Sequence, residues 1–566
     1  MTSKKEDVIP LNKKPWIATE SLILYLSVTV MGGCGLAYEY TLSKLASDLL
    51  GNSVRQWAII IGVMMFFMGV GSDLQKYFSE KKILPVFIAG EVALGLLGAF
   101  GPMAMLYAYG RFYSHYIIVQ YFFVGSIGLL IGLEIPLLTR INERYTNGLK
   151  FNLGAMLRMD YIGALLGALV WVFILPKYFS VIEMGFVLGL VSIITALVAL
   201  VYFRRKMPHF RSATAFGVLS LSLVLVGFNQ ASQWEVDGLQ YLYRDRVVMA
   251  KNSPYQHVVV TQSQSGQTSL YINGHLQFNS ADEEIYHENL VHPAMSISKS
   301  PRRVLILGGG DGLAAREVLK YPEVEKIVLC DLDPMITDLG QNNPWFVSLN
   351  NGSLKNAKVQ LINNKSLRPA RLYEVAGQDQ KHPLGLKRPA TGQVMIINVD
   401  AMEYLRQVPG LFDVIIVDFP DPNAAELGKL YSKWFYEMVH KHMAPGAILV
   451  QQSTSPYFTR EAFLTIGRTM KSSGFSAVPY HDTVPSFGEW GFWIATRRSL
   501  YNESMITERL ERIDSLPKGL RYLTPPLIRA SLVFGKHRLA TNRTDINTIV
   551  SGKLHEYYLE GWRHGF

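Results

Sequence analysis

Residues 304–312 read Val-Leu-Ile-Leu-Gly-Gly-Gly-Asp-Gly. Four apolar residues running into a glycine-rich turn predict a buried strand, Val304–Leu307, that passes directly into a helix over 312–320. The pattern then repeats along the chain. Apolar strands are expected at Ile327–Leu332, Val394–Val399, Val414–Asp418 and Ile448–Gln452, with helices at 334–340, 401–407, 430–443 and 459–472. Alternating strands and helices predict a doubly wound parallel sheet with right-handed crossovers.

In such sheets a ligand sits beyond the carboxyl ends of the strands. Acidic residues occupy four of those ends: Asp311 in the glycine turn, Asp331 in Asp331-Leu-Asp333, Asp400, and the pair in Asp418-Phe-Pro-Asp421-Pro422. A glycine turn alone is shared by dehydrogenases and methyltransferases, whereas carboxylates at four successive strand ends are far more specific. Asp311 lies where a pyrophosphate would meet the helix N-terminus, so it disfavours a dinucleotide and favours a cationic ligand. Asp331, some twenty residues after the turn, suits the two hydroxyls of a ribose. Asp418 and Asp421 can converge on an ammonium group. The expected ligands are a nucleoside carrying positive charge and a polycationic partner.

Upstream of this region, His257–Thr261 and Thr268–Ile272 read as strands of a hairpin through Ser265-Gly266, followed by a helix near Ile285–Ser298. Further upstream the composition changes. Of 566 residues 49% are hydrophobic and only 18% charged, against about 25% charged in soluble domains. Apolar stretches near 20–41, 56–74, 83–109, 115–139, 155–176, 180–203 and 212–228 meet or approach the ~20 residues that cross a bilayer. The expected organisation is an all-α multi-span membrane domain over 1–229, a small β domain over 240–284, a Rossmann-like domain over 285–499, and a C-terminal extension over 500–566.

The net charge of +10 divides as +7 before residue 230 and +3 after it. The excess therefore lies in loops between apolar runs, which argues against a nucleic-acid partner and for a lipid one. Fourteen basic residues fall in loops on the N-terminal side of the spans and four in the opposite loops, placing the N-terminus in the cytoplasm. Seven full crossings would then expel residues 230–566. The 17-residue stretch 212–228 is expected to fall short of crossing, leaving residues 230–566 cytoplasmic at a cell (inner) membrane. Gly163 and Gly167 suit close helix packing. Glu91, Glu134 and Glu183 are among the ionisable groups inside the spans, each read as a span-end or paired residue.

From Tyr255 to Thr496 the chain resembles the polyamine aminopropyltransferases, or spermidine synthases, in their multi-pass branch. The resemblance is carried by Ser-Pro-Tyr-Gln256-His, Leu-Tyr-Ile-Asn-Gly274, Asp282-Glu-Glu-Ile-Tyr286-His287-Glu288, the 304–312 segment, Cys-Asp331-Leu-Asp333 and Asp418-Phe-Pro-Asp421-Pro. It implies transfer of an aminopropyl group from decarboxylated S-adenosylmethionine, a co-substrate and not a tightly bound cofactor, to an amine such as putrescine. Carried over by motif, Gln256, Asp331, Asp400 and Ala401 would hold the nucleoside, beside the turn glycines Gly308 and Gly310. Tyr286, His287, Asp311, Asp421 and Tyr480 would bind the amine chains, and Asp418 would accept the proton. A homo-oligomer is compatible with this reading.

Three departures touch acceptor identity more than reaction type. Phe419-Pro420 replaces the usual small residues, Ala425 stands for a loop proline, and 359–363 and 394–398 read as duplicate approaches to one strand around a polar insertion. His440 and His442 read as solvated, since no metal-ligand set surrounds them. Two other functions fit the same residues: a membrane transporter or sensor binding polyamine or nucleoside without turnover, and an S-adenosylmethionine-dependent methyltransferase.

Overall fold

The computed structural model describes residues 19–50, 53–145, 149–355, 358–360 and 394–564. The chain divides into two compact units, Met1–Gln264 with Ile272–Gly274, and Ser265–Tyr271 with His275–Phe566.

Among its described residues the first unit has seven long apolar helices: α1 (Thr19–Leu50), α2 (Val54–Tyr77), α3 (Ile83–Arg111), α4 (Tyr113–Asn142), α5 (Asn152–Tyr178), α6 (Val181–Tyr202) and α7 (Phe210–Gln240). Each is long and apolar enough to cross a membrane. The apolar runs of α1, α3 and α6 are the most enclosed by their neighbours, while α2, α5 and α7 present most of theirs outward. Gly163 and Gly167 let α5 lie directly against α1: a Cβ at either would stand 2.0 Å from the Thr29 carbonyl oxygen or 2.4 Å from that of Gly33. Glu183 is structural, forming a capping box with Ser180 at the start of α6.

The segment 212–228 is not short. It belongs to α7, whose 31 residues span ~46 Å at 1.5 Å per residue. The helix continues beyond Phe228 through polar residues that a hydropathy reading leaves out, so length gives no reason for it to stop inside a bilayer. After α7, β1 (Arg246–Asn252) pairs antiparallel with β2 (His257–Gln262).

Next come β3 (Thr268–Ile272), all but its last residue in the second unit, β4 (His275–Asn279) and a long helix, α8 (Glu283–Ile297). Among the described residues eight strands then form one sheet: β5 (Arg303–Gly308), β6 (Lys326–Asp331), β7 (Lys358–Gln360), β8 (Val394–Asn398), β9 (Phe412–Asp418), β10 (Met443–Gln452), β11 (Phe475–Val484) and β12 (Gly488–Arg497). Their order is β11-β12-β10-β9-β5-β6-β8-β7. The six strands from β10 to β7 are parallel, as expected. β12 and β11 add an antiparallel edge that the strand–helix alternation did not foretell.

Residues 358–360 and 394–398 are two neighbouring strands, with Val359 opposite Ile396, and not two approaches to one. The polar insertion between them lies outside the described residues. Helices α9 (Leu313–Val318), α10 (Pro334–Asn342), α11 (Ala401–Gln407), α12 (Lys433–Lys441) and α13 (Arg460–Ser472) flank the sheet. His442 is buried, not solvated, and its two ring nitrogens bond the Met438 and Val408 carbonyls. The segment after 500 forms α14 (Glu503–Glu511), α15 (Pro525–Ser531) and α16 (Lys553–His564). It is fastened by the buried Glu288 carboxylate, which accepts the backbone N–H groups of Arg521, Tyr522 and Leu523.

Candidate active site

The sheet order places β9, β5, β6 and β8 side by side. Asp418, Asp311, Asp331 and Asp400 therefore stand in a row along adjacent carboxyl ends, with β5 at the point where the strand order reverses. Gly308 adopts φ 87°, and a Cβ there would lie 2.0 Å from the Asp418 carbonyl oxygen. Only glycine lets the β5 turn pass so close to β9. The Gly310 N–H donates to Asp331 Oδ2 at 3.0 Å, and the Asp333 N–H to Oδ1 at 2.8 Å. Both Asp331 oxygens are thus oriented yet retain lone pairs for a diol.

Asp400 has less freedom. One oxygen caps α11 through the Met402 and Glu403 N–H groups, and the other pairs with Lys429 at 2.6 Å. Ala401 opens that helix and is buried.

On the other side of Gly308, the Tyr286 hydroxyl donates to Asp418 Oδ1 at 2.6 Å. The Tyr286 ring meets Phe492, which stacks on Tyr480 at 5.1 Å. Tyr480 is itself buried, its hydroxyl donating to the Asn289 carbonyl. The Asp418–Asp421 loop is held at several points: Tyr431 donates to the Pro420 carbonyl at 2.8 Å, Gln452 to the Phe419 carbonyl, and Thr454 to Asp421 Oδ2 at 3.1 Å. Phe419 turns inward onto Phe435. Thr454 holds φ 59°, a left-handed conformation rare for a β-branched residue and typical of a site that stores strain. Tyr558 of α16 also lies close enough to Asp421 for the two groups to influence each other's ionisation.

Asp311, Asp331, Asp418 and Asp421 are all partly buried, each keeping an edge accessible. Burial pushes Asp331 up to about 7 and Asp421 to about 6. It pushes Asp311 to about 6 against the pull of His287, and raises Asp418 against His287 and the Tyr286 hydrogen bond. For His287, burial alone would lower the pKa. Glu283, 2.8 Å from Nδ1, and then Asp311 and Asp418 overcome it and raise the group to about 9. Glu283 is anchored in turn by Arg316 at 2.6 Å. The site is a row of partly buried carboxylates that favours the charged form of His287, and it gains from any ligand that brings positive charge to those carboxylates.

Gln256 belongs to the first unit, in the turn between β1 and β2, where its carbonyl accepts from Ser253. The other motif residues gather in the second unit. Glu283 was within reach of the sequence, being four residues before His287 on one helix face. Gln452, Thr454 and Tyr558 carried no local signal.

Fold and site together define a Rossmann-like α/β protein with a row of carboxylates suited to cationic ligands. A family model described as a spermine/spermidine synthase domain matches residues 283–380 and 387–504. A polyamine aminopropyltransferase of Leptospira interrogans is 35% identical over 95% of this chain and 98% of its own length. One of Oceanobacillus iheyensis is 32% identical over 96% and 98%. Among solved structures, spermidine synthase in complex with the transition-state analogue AdoDATO covers 52% of this chain and 87% of its own, at 21% identity and TM-score 0.39. The chain belongs to the polyamine aminopropyltransferase family. It is a transferase of polyamine biosynthesis.

Proposed function

We propose that the protein moves the aminopropyl group of decarboxylated S-adenosylmethionine to putrescine, giving spermidine and methylthioadenosine, while anchored in a membrane by α1–α7. The observation that carries this reading is the row of carboxylates on four adjacent strand ends, with Asp418 held by Tyr286.

In this reading Asp331 receives the ribose hydroxyls, and Ala401 and Asp400 border the base. The donor's sulfonium is already activated, so the protein supplies orientation and a deprotonated amine. The acceptor ammonium, with a pKa near ~10, gives a proton to Asp418. Its lone pair then forms the new C–N bond at the methylene beside sulfur, the C–S bond breaks, and methylthioadenosine leaves neutral. Asp311 attracts the donor's terminal ammonium and repels the carboxylate of ordinary S-adenosylmethionine. Asp421 and His287 set the charge around the acceptor chain.

Incubation of the full-length protein with putrescine and the donor tests the reaction. Release of methylthioadenosine and spermidine is expected; saturable binding without product would favour the transporter or sensor reading, and methyl transfer from S-adenosylmethionine the methyltransferase one. The proposal also places residues 230–566 in the cytoplasm, because the donor is a charged metabolite made there. With the length of α7 no longer an argument, this stands directly against the charge asymmetry of the loops. A C-terminal reporter active only outside the cytoplasmic membrane is expected to stay silent, and its activity would overturn the placement.

A further inference from the structure

We propose that the helical unit binds the phosphate of an anionic phospholipid at one end of its bundle, an inference that rests on the membrane reading above. A cavity of about 540 Å³ opens there between the start of α3, the end of α4 and the end of α6. Its apolar wall includes Ile83 and Phe203, and its cationic lining is Lys81, Arg144, Arg205 and Lys206, all exposed.

Among the described residues, most of the positive charge in this cavity has no carboxylate beside it. Its one acidic lining residue, Glu80, is engaged by Arg140 at 2.6 Å and by Arg144 at 3.1 Å. Arg140 also donates to the Gln75 and Phe78 carbonyls, which fixes the 75–80 turn carrying Glu80. Among the described residues, Lys81, Arg205 and Lys206 have no carboxylate partner. Lys206 is nonetheless positioned: its ammonium lies 4.6 Å from the centre of the Tyr145 ring, and it donates to the Tyr145 hydroxyl.

Three uncompensated cations around a concave apolar wall match a phosphate diester with the first carbons of its chains. The Arg205 fork suits phosphate oxygens, and the volume lies within the ordinary range for small-ligand sites. A lipid source fits better than a soluble one because the cavity lies where long apolar helices end. Exposed Tyr77 and Tyr202 mark the same end, as interfacial aromatics do. Basic cavities between membrane helices are a recurrent form of anionic headgroup site.

The test is native mass spectrometry of the detergent-purified full-length protein, offered phosphatidylglycerol, phosphatidylcholine or inorganic phosphate. Selective retention of phosphatidylglycerol is expected. The Lys81→Gln/Arg205→Gln variant should lose about fivefold of that retention for each charge removed, whereas Arg204→Gln, an exposed neighbour outside the cavity, should keep it. Transferase activity of each variant reports that the chain is folded. Equal losses in the Arg204 variant would reduce the effect to diffuse surface charge and overturn the site. Phosphate bound as tightly as the lipid would overturn the lipid as its ligand. Protein recovered from the soluble fraction without detergent would instead overturn the membrane reading.

Discussion

The Tyr286 hydroxyl, on α8, donates a 2.6 Å hydrogen bond to Asp418 Oδ1 at the end of β9. The second Asp418 oxygen lies beside Gly309, where a Cβ would stand 3.2 Å away. One oxygen is thus committed to fixing the carboxylate, and the other faces the glycine turn. That division suits a proton acceptor, which needs a fixed direction and an available lone pair.

Replacing Asp418 with Asn should therefore lower turnover by about 10²–10⁴-fold, the usual worth of a positioned general base. Binding of methylthioadenosine, measured by calorimetry, should be nearly unchanged. Near-normal turnover at neutral pH would remove Asp418 from that role.

Tyr286→Phe tests the same bond from its other end. The hydrogen bond favours the ionised carboxylate, so its loss raises the Asp418 pKa. The acid limb of kcat/KM against pH should shift to higher pH, with the high-pH plateau largely retained. An unmoved limb would mean that Asp418 is not the group being titrated.

Asp311→Asn should weaken discrimination against S-adenosylmethionine. Removing a like-charge contact of this kind is worth on the order of 2 kcal/mol, or about thirtyfold in the ratio of binding constants. Competition binding of the two nucleosides measures it, and an unchanged ratio would place the selectivity elsewhere.

Glu283→Gln should bring the His287 pKa down from about 9, since Glu283 is its main counter-charge. The variant also removes one of the two carboxylate partners of buried Arg316, which keeps Glu317 at 2.7 Å, at about 2 kcal/mol of stability. For a histidine raised in the folded state, stabilisation is complete below 6.5 and is lost as pH rises through about 9. Denaturation at the two ends of that window should show the wild type weakening with pH and the variant much less so.

Tyr558→Phe removes the hydroxyl that reaches Asp421 from α16. Loss of a polar neighbour of this kind is worth ~0.5–1 kcal/mol, so KM for the acceptor amine should rise about threefold with KM for the donor unchanged. Equal changes in both would assign α16 a purely structural role.

The parts legible in the sequence were those whose signal is local. Val304–Gly308 announces itself by an apolar run ending in glycines, and the seven helices by apolar stretches of spanning length. The four carboxylates follow from knowing which end of a parallel strand faces the crevice. The edge strands β11 and β12 were less visible, because Pro479 and the polar residues of His481–Thr483 interrupt the alternation, and it is the antiparallel hairpin with β12 that holds this stretch extended. Gln452, Thr454 and Tyr558 reach the Asp418–Asp421 loop only because the chain returns to it from β10 and α16. No window of sequence contains such a return.

The strand order also sets a sequence of events during folding. β5 can find β6 through one short crossover, but its other neighbour, β9, arrives only after a long excursion of chain that brings Asp418 into register with Gly308. Closing a short loop costs less entropy and happens sooner than closing a long one. The edge holding Asp331 is therefore expected to form early, and the edge holding Asp418 late. Between those moments the glycine turn exists without the strand it was shaped to pass.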